Sequence, residues 1–163
     1  MSIVRVISDP HFGHLNMAIR RGFNDQHEMN ELMVERWNSV VGKRDVTYIL
    51  GDITMEKESE YYWLDSLNGI KKVILGNHDK PQHVQKLLKH VNSVAASKYW
   101  TVKGVGNVII THIPIHPSEL EYRFKFNIHG HVHGNTIDDD RYINVSAEVI
   151  DYIPRTLEEL FHR

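Results

Sequence analysis

The sequence contains no cysteine, which excludes a disulfide framework, a thiolate metal site and a cysteine nucleophile. Any metal must therefore be held through oxygen and nitrogen. Long apolar runs are missing as well. Stretches such as Asn107 to Thr111 fall far short of the roughly 20 residues a membrane-spanning helix needs, and the N-terminal residues read as a strand rather than a signal peptide. No membrane partner is expected, and the cytoplasm is the expected compartment. Charge of one sign is also lacking: 19 Lys and Arg stand against 21 Asp and Glu, a net charge of −2, so there is no general attraction for nucleic acid or anionic lipid. Hydrophobic residues at 41% and charged residues at 25% match an ordinary soluble globule, and the length predicts one domain over residues 1–163. What the chain has in excess is histidine, twelve in 163 residues.

Ile3 to Ile7 is β-branched and runs into Ser8-Asp9-Pro10, which predicts a strand ending in a polar loop. Asp25 and Glu28 have capping-box spacing, and Met29, Leu32, Met33, Arg36, Trp37 and Val40 recur at helical intervals, so a helix is predicted over 26–41. Val46 to Leu50 reads as a buried strand that stops at Gly51-Asp52. A helix over 58–67, a short strand over 73–75 and a helix from Pro81 to Val91 follow. This alternation predicts an α/β fold with a largely parallel sheet. Beyond Asn92 strands dominate: a hairpin of 98–102 with 105–111, then 124–129 and 142–145, before Thr156 and Glu159 cap a C-terminal helix.

The loops at the strand ends carry nearly all of the metal-ligand chemistry. In order they supply Asp9, His11, Asp52, Asn77, His112, His131 and His133. The carboxyl ends of strands in an α/β sheet converge on one edge, where ligands bind, so five loops can meet at one site. Three carboxylate or amide oxygens and four imidazoles exceed what one ion requires. Two divalent ions about 3.5–4 Å apart need a bridging ligand, and the Asp52 carboxylate is the natural bridge. Mixed oxygen and imidazole ligation suits Mn²⁺, Fe, Ni, Co or Zn²⁺ and suits Ca²⁺ poorly; manganese is the first expectation.

The blocks Asp9-Pro10-His11, Gly51-Asp52, Gly76-Asn77-His78-Asp79, Thr111-His112 and Gly130-His131-Val132-His133, in this order, resemble the calcineurin-like metallophosphoesterase family. The opening from Ser8 to Asn16 is similar to its small single-domain bacterial and phage members. The resemblance implies a β-sandwich flanked by helices (αββα) without a cap. It implies one ion on Asp9, His11, Asp52 and His133, a second on Asp52, Asn77, His112 and His131, and His78 as the catalytic histidine. Two departures stand out: Pro10 separates the first two ligands, and Ile113 replaces the small residue usual after the lone histidine. Pro10 removes an amide donor and stiffens the loop without removing a ligand.

A pair of cations acidifies water and neutralises phosphoryl oxygens, which makes a phosphate ester the fitting target. His78 would assist the leaving oxygen, Asp79 would orient that imidazole, and the helix from Pro81 would aim its N-terminal dipole at an anion. His14, Asn77 and His78 are the candidate substrate contacts, although His14 also reads as a solvent-exposed loop residue. His116 is assigned no metal, because Pro114 and Pro117 oppose the helix that would pair it with His112. His27, His83, His90 and His162 read as solvated, and His129 has no firm assignment. The Arg20-Arg21, Lys71-Lys72 and Arg123 to Lys125 pairs read as surface charge. The expected activity is metal-dependent hydrolysis of phosphate esters, diesters before monoesters, on nucleotide-like substrates. Alternatives are a phosphomonoesterase, a single-strand nuclease with a basic or aromatic groove, and a non-catalytic interaction module on the same scaffold.

Overall fold

In the computed structural model, which describes residues 2–161, the β-branched segment Val4–Ile7 forms β1. It pairs in parallel with β2 (Val46–Ile49) and antiparallel with β9 (Arg155–Thr156). β3 (Ile70–Ile74) and β4 (Ser93–Ala95) continue the parallel run, giving a first sheet ordered β4-β3-β2-β1-β9. The second sheet is β5-β6-β7-β8, built from Lys98–Val102, Gly106–Ile110, Phe126–His129 and Tyr142–Asn144. Its first pair is the expected antiparallel hairpin, whereas β6, β7 and β8 run parallel. The fold is α/β with two mixed sheets and helices.

Both sheets contribute to one hydrophobic core. Val6, Ile7, Ile49 and Ile74 of the first meet Val108, Ile110 and Ile128 of the second in a cluster that also holds Met29, Met33 and Trp37. The last three lie on α2 (Gln26–Val40), whose start is fixed by Asp25: its carboxylate accepts from the Glu28 amide at 2.9 Å. Glu28 in turn accepts from the Asn24 amide at 2.8 Å, a reciprocal cap one residue removed from the usual box.

Parallel register places the site. Ile7 lies level with Ile49, and Ile49 with Val73, so the loops that leave β1, β2 and β3 emerge at one edge. An isolated bridge between Ser8 and Ser146 joins the end of β1 to the chain beyond β8. The ends of both sheets therefore open on the same place.

Several expected elements differ. Residues 58–66 form a 3₁₀-helix and not an α-helix; the buried side chains Tyr61, Leu64 and Leu67 recur every three residues, which matches three residues per turn. The helix expected over 81–91 is only a 3₁₀ turn at Pro81–His83 followed by α3 (Val84–Leu87), so no extended dipole faces the site. α1 (Leu15–Arg20), β4, α4 (Glu119–Tyr122) and β9 were not expected. In α1 the apolar residues Leu15 and Ile19 are 48% and 55% exposed, and only the adjacent Met17 and Ala18 are buried, too short a pattern to show helical periodicity. α5 is Leu157–Phe161. Among the described residues, no helix is long and apolar enough to cross a membrane.

Trp37 is 2% exposed and donates its indole N–H to the Asn68 carbonyl at 3.0 Å. Trp37→Ala is expected to cost about 3–5 kcal/mol, read as a lower urea midpoint at unchanged slope; an unchanged midpoint would contradict this placement of α2.

Candidate metal centre

Ser8 sits in the seam between the sheets. Its amide donates to Val145 O at 2.8 Å, the Ala147 amide donates to Ser8 O at 2.9 Å, and its hydroxyl donates to Leu50 O at 2.6 Å. The loop that follows is laddered onto the next one, with Asp9 N donating to Gly51 O, His11 N to Asp52 O and Phe12 N to Ile53 O. Gly130 passes so close that a Cβ there would overlap Ser8 and Asp9, and a Cβ on Gly76 would overlap Asp52. Among the described residues, eight non-glycine residues have positive φ, and five of them are Asp9, His11, Asp52, His131 and His133. This left-handed conformation costs an L-residue of order 1 kcal/mol or more. Such strain collects where a side chain must be aimed for a purpose.

The aimed side chains form two clusters. Asp9, His11 and His133 bring ligand atoms within 4.8 Å of one another, and so do Asp52, His112 and His131. Asp52 Oδ2 lies 3.8 Å from His11 Nε2 and 3.3 Å from His112 Nε2, between the two groups. Asn77 Oδ1 lies 3.0 Å from His112 Nε2. His11 Nε2 is 3.7 Å from Asp9 Oδ1, and among the described residues these two buried atoms have no hydrogen-bond partner. Buried polar atoms are almost always partnered.

The outer atoms of Asp9, His112 and His133 are engaged, which leaves their remaining lone pairs free to face the cluster. Asp9 Oδ2 accepts from the His131 amide at 2.9 Å and the Ser146 hydroxyl at 3.1 Å. His112 Nδ1 lies 2.6 Å from Leu50 O and His133 Nδ1 lies 2.9 Å from Glu148 Oε1. A carbonyl or carboxylate there takes an N–H, so the proton sits on Nδ1 and Nε2 is left as a ligand atom. Asp52 Oδ1 accepts from the His78 amide at 2.9 Å. The two clusters can hold metal ions, an arrangement consistent with a dinuclear centre.

Electrostatics agree with this reading. Burial, reinforced by Arg21, lowers the His11 pKa to about 3, which keeps its ring neutral. Burial opposes charge on His112, yet the hydrogen bond and charge of Asp52 raise its pKa above the ordinary value; a position that favours a proton beside Asp52 favours a cation there. Burial pushes the Asp52 carboxyl up, but His112 and the His78 amide hold it below its usual range. Burial likewise raises Glu148, and the hydrogen bond from His133 with the Arg21 charge outweighs it, leaving the pKa at about 2. Burial, then Lys57 and His78, lowers His14.

His14 and His78 stand at the rim. Their rings lie 5.7 Å and 6.2 Å from that of His11, and the His78 side chain is 26% exposed. Asp79 does not orient His78. Its oxygens accept from the amides of Asp52 (2.8 Å), Ile53 (3.1 Å) and Gly76 (2.8 Å), so it pins the two loops together. The His78 Nδ1 instead lies 3.3 Å from Glu56 Oε1, which also binds Lys80 at 2.9 Å. His129 is buried with Nδ1 on Gly130 O at 2.9 Å, and His116 bonds Ser118 at the surface; neither is in a cluster. His27 is exposed, whereas His83 and His90 pair with Glu58 and Asp65. His162 lies outside the described residues.

Sequence reasoning missed Glu148, Arg21, Ser146 and Glu56. Arg21, assigned to surface charge, has a side chain only 2% exposed that donates to Asp9 O, Pro10 O and Glu148 Oε2. The usable signal is the rule that a ligating histidine needs an outer carboxylate; no spacing marks Glu148 as that partner.

No known family profile matches the chain. An uncharacterized protein of Methanocaldococcus jannaschii is 32% identical to it over 173 residues, covering 97% of this chain and 89% of that protein. The chain belongs to the family of this archaeal protein. A protein of unknown function from Aquifex aeolicus, known from its crystal structure, superposes with a TM-score of 0.78 at 25% identity over 98% of this chain and 97% of its own. An archaeal phosphodiesterase shares the fold more loosely, with a TM-score of 0.50 at 15% identity over 88% of this chain and 81% of its own.

The Glu148 carboxyl, 20% exposed, has a folded pKa below its ordinary 4.5, so its stabilisation is full above about pH 4.5 and is lost as pH falls toward 2. In metal-free protein Glu148→Gln is expected to lower stability at pH 7 by roughly 1–3 kcal/mol, with the gap from the parent closing below pH 4.5. Denaturant titrations at stepped pH measure this, and a gap independent of pH would contradict it.

Proposed function

We propose that the chain is a metal-dependent phosphoesterase of the calcineurin-like metallophosphoesterase type, one αββα domain without a cap over residues 1–163, acting on phosphodiesters before monoesters. The observation that carries this reading is the position of Asp52 Oδ2 between His11 Nε2 and His112 Nε2. Asp9, His11, Asp52 and His133 would hold one divalent ion and Asp52, Asn77, His112 and His131 the other, manganese first. When bound, the ions would supply positive charge that acidifies water and neutralises phosphoryl oxygens during in-line attack.

The chain's own groups complete the chemistry. Leu50 O and Glu148 fix the His112 and His133 rings, so the ligand geometry is set before substrate arrives. His78, partly exposed and tethered through Nδ1 to Glu56, presents its other nitrogen to the leaving oxygen as proton donor. Asn77 and His14 would be further contacts to the phosphate. A nucleotide-like substrate suits the open rim, and one neighbour of similar fold is a phosphodiesterase, which supports the reaction class.

Turnover of bis(p-nitrophenyl) phosphate against p-nitrophenyl phosphate tests the reading. Activity is expected to be abolished by EDTA, restored by Mn²⁺, higher for the diester, and reduced about 10²–10⁴-fold in His78→Ala; Asn77→Ala is expected to lose activity as well. Turnover of neither ester by protein carrying two ions would overturn it and favour an interaction module.

A further inference from the structure

A cavity of about 360 Å³ lies beside the candidate centre, lined by Met17, Arg20, His133, Asn135, Glu148 and Tyr152. His133 is the shared wall: it belongs to the first ligand cluster and also faces this space. Helix α1 connects the two. His14 precedes it, with its ring 5.7 Å from that of His11, and Arg20 stands six residues further along, about 9 Å by the helical rise.

The charges in the cavity are not balanced. Arg21, which also lines it, is committed to Glu148 and to the Asp9 carbonyl, so these two cancel. Arg20 is exposed and makes no ion pair among the described residues. A free guanidinium at the far end of a cavity is placed to meet an anion. The volume is at the lower end of small-ligand sites, about 300–1,000 Å³, enough for a nucleoside. The Asn135 amide offers both a donor and an acceptor to a base.

We propose that this cavity is the subsite for one ester substituent, a nucleoside that carries a second phosphate, with Arg20 on that second phosphate. The inference rests on the phosphoesterase reading and narrows its substrates to phosphodiesters of nucleotides. The scissile phosphorus would sit at the ligand clusters, the adjoining nucleoside would pass His133 into the cavity, and the next phosphate would reach Arg20. Arg20 and Asn135 are thus specificity residues and touch no reacting bond.

The test is calorimetric titration, in Mn²⁺, of thymidine 3′,5′-bisphosphate and of inorganic phosphate into the wild type, Asn135→Trp and Arg20→Ala. Asn135 is exposed, so the indole fills the cavity from its mouth, and inorganic phosphate reports that the centre is intact in each variant. The bisphosphate is expected to bind the wild type more tightly than phosphate, and to weaken about tenfold in Asn135→Trp and roughly fivefold in Arg20→Ala, while phosphate affinity stays within about twofold. Equal effects on both ligands, or a bisphosphate that binds no tighter than phosphate, would overturn the assignment. The two readings fail separately. Absence of ester turnover with this binding pattern present sinks the phosphoesterase and leaves a nucleotide site; turnover with bisphosphate binding indifferent to both substitutions sinks the cavity assignment alone.

Discussion

Lone pairs crowded against lone pairs are the constraint on which the molecule's site depends. His11 Nε2 faces both Asp9 Oδ1 and Asp52 Oδ2 in a buried space, it and Asp9 Oδ1 have no hydrogen-bond partner among the described residues, and His112 Nε2 meets both Asp52 Oδ2 and Asn77 Oδ1. Such an arrangement is repulsive and poorly solvated. A proton on His112 relieves part of it, which is why its pKa rises against the effect of burial. Burial and Arg21 keep the His11 ring from taking a second proton, so it brings no positive charge to this space. Cations held by the two clusters would relieve this crowding.

The fold is arranged to hold this unfavourable grouping in place. Level strand ends deliver Asp9 and Asp52, the Ser8–Ser146 bridge brings the second sheet to them, and Gly130 and Gly76 permit approaches that any side chain would block. Asp79 clamps the Asp52 and Gly76 loops through three amides. Five ligand-type residues sit in left-handed backbone, a cost in stability that the core of Ile7, Ile49, Val108 and Trp37 offsets. Outer groups then fix the rings, with Glu148 and Arg21 behind His133 and Leu50 O behind His112.

Much of this is legible in the order of residues along the chain. Asp9, Asp52, Asn77 and the histidines follow β-branched segments directly, so their arrival at one edge follows from parallel pairing, and Asp25 marks the start of α2. What escapes sequence reasoning does so for physical reasons. Glu148 and Arg21 are ordinary charged residues whose partners lie 127 positions apart, and nothing local distinguishes them from solvated ones. Asp79 adjoins His78, but successive side chains diverge, and the carboxylate turns to backbone amides instead. The three-residue spacing of Tyr61, Leu64 and Leu67 carries a 3₁₀ signal, which the intervening Tyr62 obscures. The two residues of β9 are too few to leave any periodicity.

The most direct measurement is anomalous diffraction from crystals grown with Mn²⁺. Two peaks are expected about 3.5–4 Å apart, sharing Asp52, one beside His11 and His133 and the other beside His112 and His131. A single peak, or ions bound away from both clusters, would contradict the account.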